Sequence, residues 1–303
     1  MKILSFTLFS VCVSLGFDTF AQVSGTKLWE ISLGNYVFSS PAIARDGTIF
    51  VGVCSAHLGD PLSPNGWIYS ISPQGTTNWS ARTIGDLRSS PALGPDGSVY
   101  VGSVLGNVYS FSPGGATNWV LAVSKSSNLY PGFIGSSPAV GVAGTVYVNV
   151  VSGYEPGVSY RDQLYSLHPD GKTNWVLVLN SIGNNQVDSI CFSSPTIGPD
   201  GTIYVATRDR RLYEICPAGT TNWSASLAAH TYASPAIGPD GTIYLGAEEH
   251  QLHGFDPFGR EKGTYPTSTP SNPRRQLMGK RFTSARSTRR SRPWVLTENC
   301  AGR

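Results

Sequence analysis

Ser89-Ser90-Pro91-Ala92-Leu93-Gly94-Pro95-Asp96-Gly97-Ser98-Val99-Tyr100-Val101 states a phrase that this chain writes five times. Its opening returns as Ser39-Ser40-Pro41-Ala42-Ile43, Ser136-Ser137-Pro138-Ala139-Val140, Ser193-Ser194-Pro195-Thr196-Ile197 and Ser234-Pro235-Ala236-Ile237, at intervals of about 40 to 57 residues. A fixed period of this size marks a repeat architecture. After the turn and its apolar run comes a second run, such as Val108-Tyr109-Ser110-Phe111 or Leu212-Tyr213-Glu214-Ile215. Each unit then closes on a tryptophan behind Thr-Asn: Trp79, Trp119, Trp175 and Trp223. Trp29, behind Gly25-Thr26-Lys27-Leu28, precedes the first full unit.

The 34 glycines and 21 prolines gather at the repeat turns, while β-branched and aromatic residues fill the runs between them. No helical stripe is sustained, so the fold class is all-β. Each unit reads as four strands: the Ser-Ser-Pro phrase, the run after Asp-Gly, the second run, and a strand carrying Trp. A four-stranded meander cannot bury both faces alone. Stacked radially, neighbouring units cover one another, and this period is that of a β-propeller blade.

In these residues the units resemble the repeats of the pyrroloquinoline-quinone (PQQ) type β-propeller, whose tryptophan-docking motif runs A-x-D-x-x-T-G-x-x-x-W. The resemblance covers residues 25–259. The motif stands here as Ser70-Ile71-Ser72-Pro73-Gln74-Gly75-Thr76-Thr77-Asn78-Trp79, and again at 110–119 and 166–175. Glycine and tryptophan are kept. The motif Asp is replaced at Ser72, Ser112, His168 and Cys216 and kept at Asp256. The resemblance implies that Trp29, Trp79, Trp119, Trp175 and Trp223 dock between adjacent blades, and Trp79, Trp119, Trp175 and Trp223 are expected to be largely buried there. About five units are present, which suggests an incomplete or truncated propeller.

Strand direction alternates, so the first and third connections of a unit emerge at one end of the sheet, and the second and fourth at the other. The first and third are tight Asp-Gly or Pro-x-Gly turns. All the insertions fall in the other set, at 54–66, 120–135, 149–162 and 176–191. Loops on a rigid scaffold are where binding residues collect. Candidates on this face are His57, Asp60, Trp67, Tyr130, Tyr154, Glu155, Tyr160 and Arg161. Asn184, Asn185, Gln186, Asp188, Arg208, Asp209, Arg210, Glu248 and His250 complete the set. The deepest pocket is expected among the loops around 57–67, 154–162 and 184–188. The ligand so read is a protein or carbohydrate partner.

Several motifs are architectural instead. Asp96, Asp200 and Asp240 stand before glycine in hairpin turns, not among the several oxygen ligands calcium needs. A Ser-Ser-Pro phrase present in five units does not correspond to one nucleophile, and it lacks the G-x-S-x-G frame. His57, His168, His230, His250 and His253 show no metal-ligand spacing. The resembled family includes quinone-dependent dehydrogenases. Those close eight blades around the cofactor and place an adjacent-cysteine disulfide and calcium-binding carboxylates over it. Five units without a Cys-Cys pair point to a non-catalytic binding or scaffolding module, with no cofactor, neither PQQ nor calcium. A fragment of a quinoprotein oxidoreductase is the second reading.

Residues 1–21 read as a secretory signal: Lys2, an apolar stretch, and small residues before Gln22. The expectation is an exported protein, periplasmic, cell-surface or extracellular. No other segment is long and apolar enough to form a transmembrane helix. Four further cysteines, Cys54, Cys191, Cys216 and Cys300, lack metal spacing. A Cys191–Cys216 disulfide stays open, with scattered core thiols the simpler reading. The net charge of +3 is misleading, because half of the 22 Lys and Arg lie beyond Phe258. The repeat body is acidic and offers nothing to nucleic acid.

Three segments result: a signal peptide at 1–21, propeller repeats at 22–258 and a basic low-order tail at 259–303. The tail has a second reading in the codons. One T restored before the Gly263 codon turns it into TGG, giving Gly-Arg-Glu-Lys-Trp, as at 75–79. In that frame residues 272–283 can encode another S-S-P-A phrase, and 293–302 another repeat ending. The tail is then a frameshifted sixth repeat.

Overall fold

The computed structural model describes residues 26–55, 65–123, 132–152, 160–182 and 193–267. Among the described residues there are twenty strands and no helix. The strands form five four-stranded antiparallel sheets, each in sequence order. The first blade is β1 (Ala42–Ile43), β2 (Ile49–Cys54), β3 (Asn65–Ile71) and β4 (Thr77–Ile84). The second is β5 (Ala92–Leu93), β6 (Val99–Gly102), β7 (Asn107–Phe111) and β8 (Thr117–Ala122). The third is β9 (Ala139–Val140), β10 (Val146–Ser152), β11 (Tyr160–Leu167) and β12 (Thr173–Ile182). The fourth is β13 (Thr196–Ile197), β14 (Ile203–Thr207), β15 (Arg211–Ile215) and β16 (Thr221–Ser226). The fifth is β17 (Ala236–Ile237), β18 (Ile243–Ala247), β19 (Gln251–Phe255) and β20 (Glu261–Pro266). The repeats thus run on to Pro266, past the expected boundary at 258.

Turn chemistry sets each hairpin. Asp96 Oδ1 accepts from the Ser98 amide at 3.0 Å and Oδ2 from the Ser98 hydroxyl at 2.8 Å, and Asp200–Thr202 and Asp240–Thr242 repeat the arrangement. These carboxylates hold their own turns. The same bulge interrupts every third-to-fourth strand pairing, at Ser70/Ile71, Ser110/Phe111, Ser166/Leu167, Glu214/Ile215 and Gly254/Phe255.

The core lies between blades. Phe50 and Ile68 of the first meet Val99, Val101, Tyr109 and Phe111 of the second. Tyr100 and Val108 meet Val146, Val148, Val150 and Leu167 of the third. Tyr147 and Leu164 then meet Ile203, Val205, Tyr213 and Ile215. Tyr204 and Leu212 meet Ile243, Leu245 and Phe255 of the fifth. In the second, third and fourth blades the central strands are buried on both faces, because each of these sheets has a neighbour on each side.

Two ladders stitch the blades. Each tryptophan indole donates to a proline carbonyl of the next blade: Trp29 to Pro73, Trp79 to Pro113 and Trp119 to Pro169 at 2.8 Å, Trp175 to Pro217 at 2.9 Å, and Trp223 to Pro257 at 3.1 Å. The ring lies on Gly75, Gly115, Gly171, Gly219 or Gly259, all at positive φ, where a Cβ would stand 2.6 to 2.7 Å from the indole. Only glycine fits both demands. The five indoles are partly exposed, with one face covering this turn while the outer edge meets solvent. Nearer the axis, the amides of Ser40, Ser90, Ser137 and Ser194 donate to the hydroxyls of Ser90, Ser137, Ser194 and Ser234, at 2.8 to 2.9 Å. First strands of successive blades therefore touch and line the inner rim.

Candidate binding face

In each meander the first and third connections share one end and the second and fourth the other. The sequence-predicted site residues belong to the second end. His57, Asp60, Tyr130, Tyr154, Glu155, Asn184, Asn185, Gln186 and Asp188 lie outside the described residues. Tyr160 opens β11. Arg161, Glu248 and His250 are exposed at this end, and Trp67 is half-buried on β3, 6.5 Å from the Tyr69 ring.

Arg208 is not a surface residue. It is 7% exposed, and its Nε donates to Asp162 Oδ1 at 3.2 Å, an ion pair joining the third and fourth blades. Asp162 is fully buried. Its Oδ2 accepts from Asn180 Nδ2 at 2.6 Å and from the Arg208 amide at 3.2 Å, while Asn180 Oδ1 accepts from the Asp162 amide at 3.2 Å. The Arg208 carbonyl in turn meets His230 Nδ1 at 3.1 Å. Burial of the Asp162 carboxylate is tolerated because both of its oxygens accept hydrogen bonds, from Asn180, the Arg208 amide and the Arg208 guanidinium. Asp162 and Asn180 were missed from sequence. The signal was a carboxylate on the same strand face as core residues Leu164 and Ser166.

At the same end of the first blade, Asp86 is 1% exposed and accepts from the Ser55 amide at 2.8 Å. Beside it Cys54 is a free buried thiol whose Sγ donates to the Leu87 carbonyl at 3.3 Å. Burial, with Asp86 nearby, pushes its pKa up to about 11, so it is an inert core residue. Cys216 departs from the thiol reading: it is disulfide-bonded, with its partner outside the described residues.

A cleft of about 480 Å³ opens here, lined by Asn65, Arg82, Thr83 and Ile84 at the start of β3 and the end of β4. Arg82 Nε donates to Asn65 Oδ1 at 2.9 Å. No Asp-Gly turn lines it, and it adjoins the connection 54–66. The other expected contributors, around 154–159 and 184–188, lie outside the described residues. On the last blade, His253 is buried between Glu261 and Glu249, at 2.7 and 2.6 Å. That clamp occupies the strand position of Tyr109, Tyr165 and Tyr213, so it belongs to the blade junction.

Blade topology and the tryptophan ladder define a PQQ-type β-propeller. A family described as outer membrane protein assembly factor BamB matches residues 104–284, more than half of the chain, and the chain belongs to that family. No curated protein matches it in sequence. Among solved structures, BamB from Moraxella catarrhalis is 13% identical with a TM-score of 0.56, covering 78% of this chain and 64% of that one. A europium-containing methanol dehydrogenase is 11% identical with a TM-score of 0.59, covering 78% and 52%. The quinohemoprotein alcohol dehydrogenase ADHIIG from Pseudomonas putida HK5 is 14% identical with a TM-score of 0.56, covering 78% and 43%. These likenesses concern the fold, and the chain spans less than two thirds of each of these proteins.

The dehydrogenases raise the question of a quinone held with a divalent cation. Calcium takes six to eight oxygen ligands. Among the described residues no group of three His, Cys, Asp or Glu side chains is arranged to hold a metal ion, and the inner-rim hydroxyls of Ser90, Ser137, Ser194 and Ser234 are engaged in the ladder. The described donor set does not fit such a group.

Proposed function

We propose that the chain is an exported, non-catalytic β-propeller module that binds a protein partner at the end carrying the long connections. The carrying observation is membership of a family described as an assembly factor. Further support comes from the division of labour between the two ends. Asp-Gly turns at one end are alike and consumed in their own hydrogen bonds. The other end varies from blade to block and is stiffened underneath by the Asp162–Arg208 pair. Export is supported by the disulfide at Cys216, since such bonds persist in oxidising compartments. No helix among the described residues is long and apolar enough to cross a membrane.

The test is photo-crosslinking in the producing cell, with the probe placed at Arg161 or His250 and, as control, at Asp200 on the short-turn end. Discrete protein adducts from the first two positions and none from Asp200 are expected. Equal labelling from all three overturns the choice of face. The second reading, a dehydrogenase-like fragment, rests on the two dehydrogenase neighbours. Stoichiometric PQQ uptake with calcium, seen as quinone absorbance, would establish it in place of the scaffold.

A further inference from the structure

The serine ladder crosses all four internal junctions, and the first two junctions also share a plug and a socket. There the residue two before the repeat's first serine plugs onto a strand glycine of the preceding blade: Leu87 against Gly52 and Ile134 against Gly102. A Cβ on Gly52 would lie 3.0 Å from Leu87 Cβ, and one on Gly102 would lie 2.3 Å from Ile134 Cγ2. Both plugs are 0% exposed. Beside them a serine amide donates to the next blade's serine hydroxyl, as in Ser40 to Ser90.

The two outer ends carry the unmatched halves of this junction. Val37 holds the plug position of the first blade, yet it is 48% exposed, with Phe38 beside it at 44%. Gly246 holds the socket position of the fifth blade, 13 residues after Ala233 as Gly52 is 13 after Ser39, and among the described residues a Cβ there meets only Ala233 Cβ at 3.9 Å. The Ser40 hydroxyl is an acceptor and the Ser234 amide a donor, and neither has that partner among the described residues. The outermost strands complement each other too. Trp29 is already docked on Pro73, whereas Gly263 pairs with Gly254 where Trp223 pairs with Glu214, leaving the tryptophan position of the fifth blade empty.

We propose that copies of this chain join head to tail, the Val37 end of one seated in the Gly246 end of the next. Plug and socket, amide and hydroxyl, and tryptophan and glycine then meet as they do inside the chain. The joined blade has room for one outermost strand. Residues 26–33 bring Trp29 to it, and β20, exposed along most of its length, is the strand that yields. Different surfaces meet at the two sides of this contact, so it is heterologous and can propagate beyond a dimer.

Sedimentation velocity on the full chain over a micromolar range tests this. Association that grows with concentration is expected. Val37→Asp and Gly246→Leu should each weaken it about tenfold or more, as loss of a central anchor does. Mixing the two variants gives the sharper readout. Val37→Asp keeps an intact socket and Gly246→Leu an intact plug, so the mixture should form a 1:1 dimer and stop there. Val37→Ala, which removes bulk at an exposed position without adding charge, serves if either variant misfolds, and it too should weaken association. A monomer at every concentration, association that survives these substitutions, or a mixture that stays monomeric would each overturn the proposal.

Discussion

A carboxylate without solvent contact is stable only while its neighbours replace water, and Asp162 depends on Asn180 and Arg208 for that. Asp162→Ala leaves the Arg208 guanidinium 7% exposed without its carboxylate. The expected cost is about 3–5 kcal/mol, measured by urea denaturation. Glu214 makes the opposite case. Burial, opposed by the Asn222 hydrogen bond and helped by Asp200, pushes its pKa from 4.5 up to about 7. The folded state therefore holds a proton that the unfolded chain releases, and this contribution is lost as pH rises from 4.5 through 7. Glu214→Gln should match the parent at pH 5 and exceed it by on the order of 2 kcal/mol at pH 8, read from melts at the two pH values.

Strand-level features follow from the turn grammar, and the misfits in that grammar are testable. Gly106 turns the β6–β7 hairpin at φ 71°, and Arg210 and His250 occupy the same place in their blades at φ 61° and 62°. A side chain there costs about 1–2 kcal/mol, so Arg210→Gly should raise stability by about 1 kcal/mol in thermal unfolding. Trp119→Ala removes the indole between Pro169 and Gly171. Since the ring is half-buried, about 2–3 kcal/mol is expected, below the full-core value. Blades, turns and the recurring glycine and tryptophan were legible in sequence because each recurs at one register of the repeat. The Asp162–Arg208 pair was not, since its partners lie 46 residues apart in different blades.

At the scale of the whole molecule, contacts run from each blade to the next, and stability sums over neighbouring pairs. The codon reading of the tail gains a structural register, because Gly263 sits where every other fourth strand has its tryptophan. Resequencing the locus should find one more T after the Lys262 codon; an unchanged read would end that account. The ladder also has a direction in time. Each indole finds its carbonyl 34 to 50 residues later in the chain, never earlier. At ~5–20 residues per second of synthesis that delay is roughly 2–10 seconds. A nascent blade thus finishes with its ring uncovered and waits for a turn not yet made. The growing chain presents the same aromatic surface at every stage, and a holdase that recognised it once would recognise it at each blade in succession.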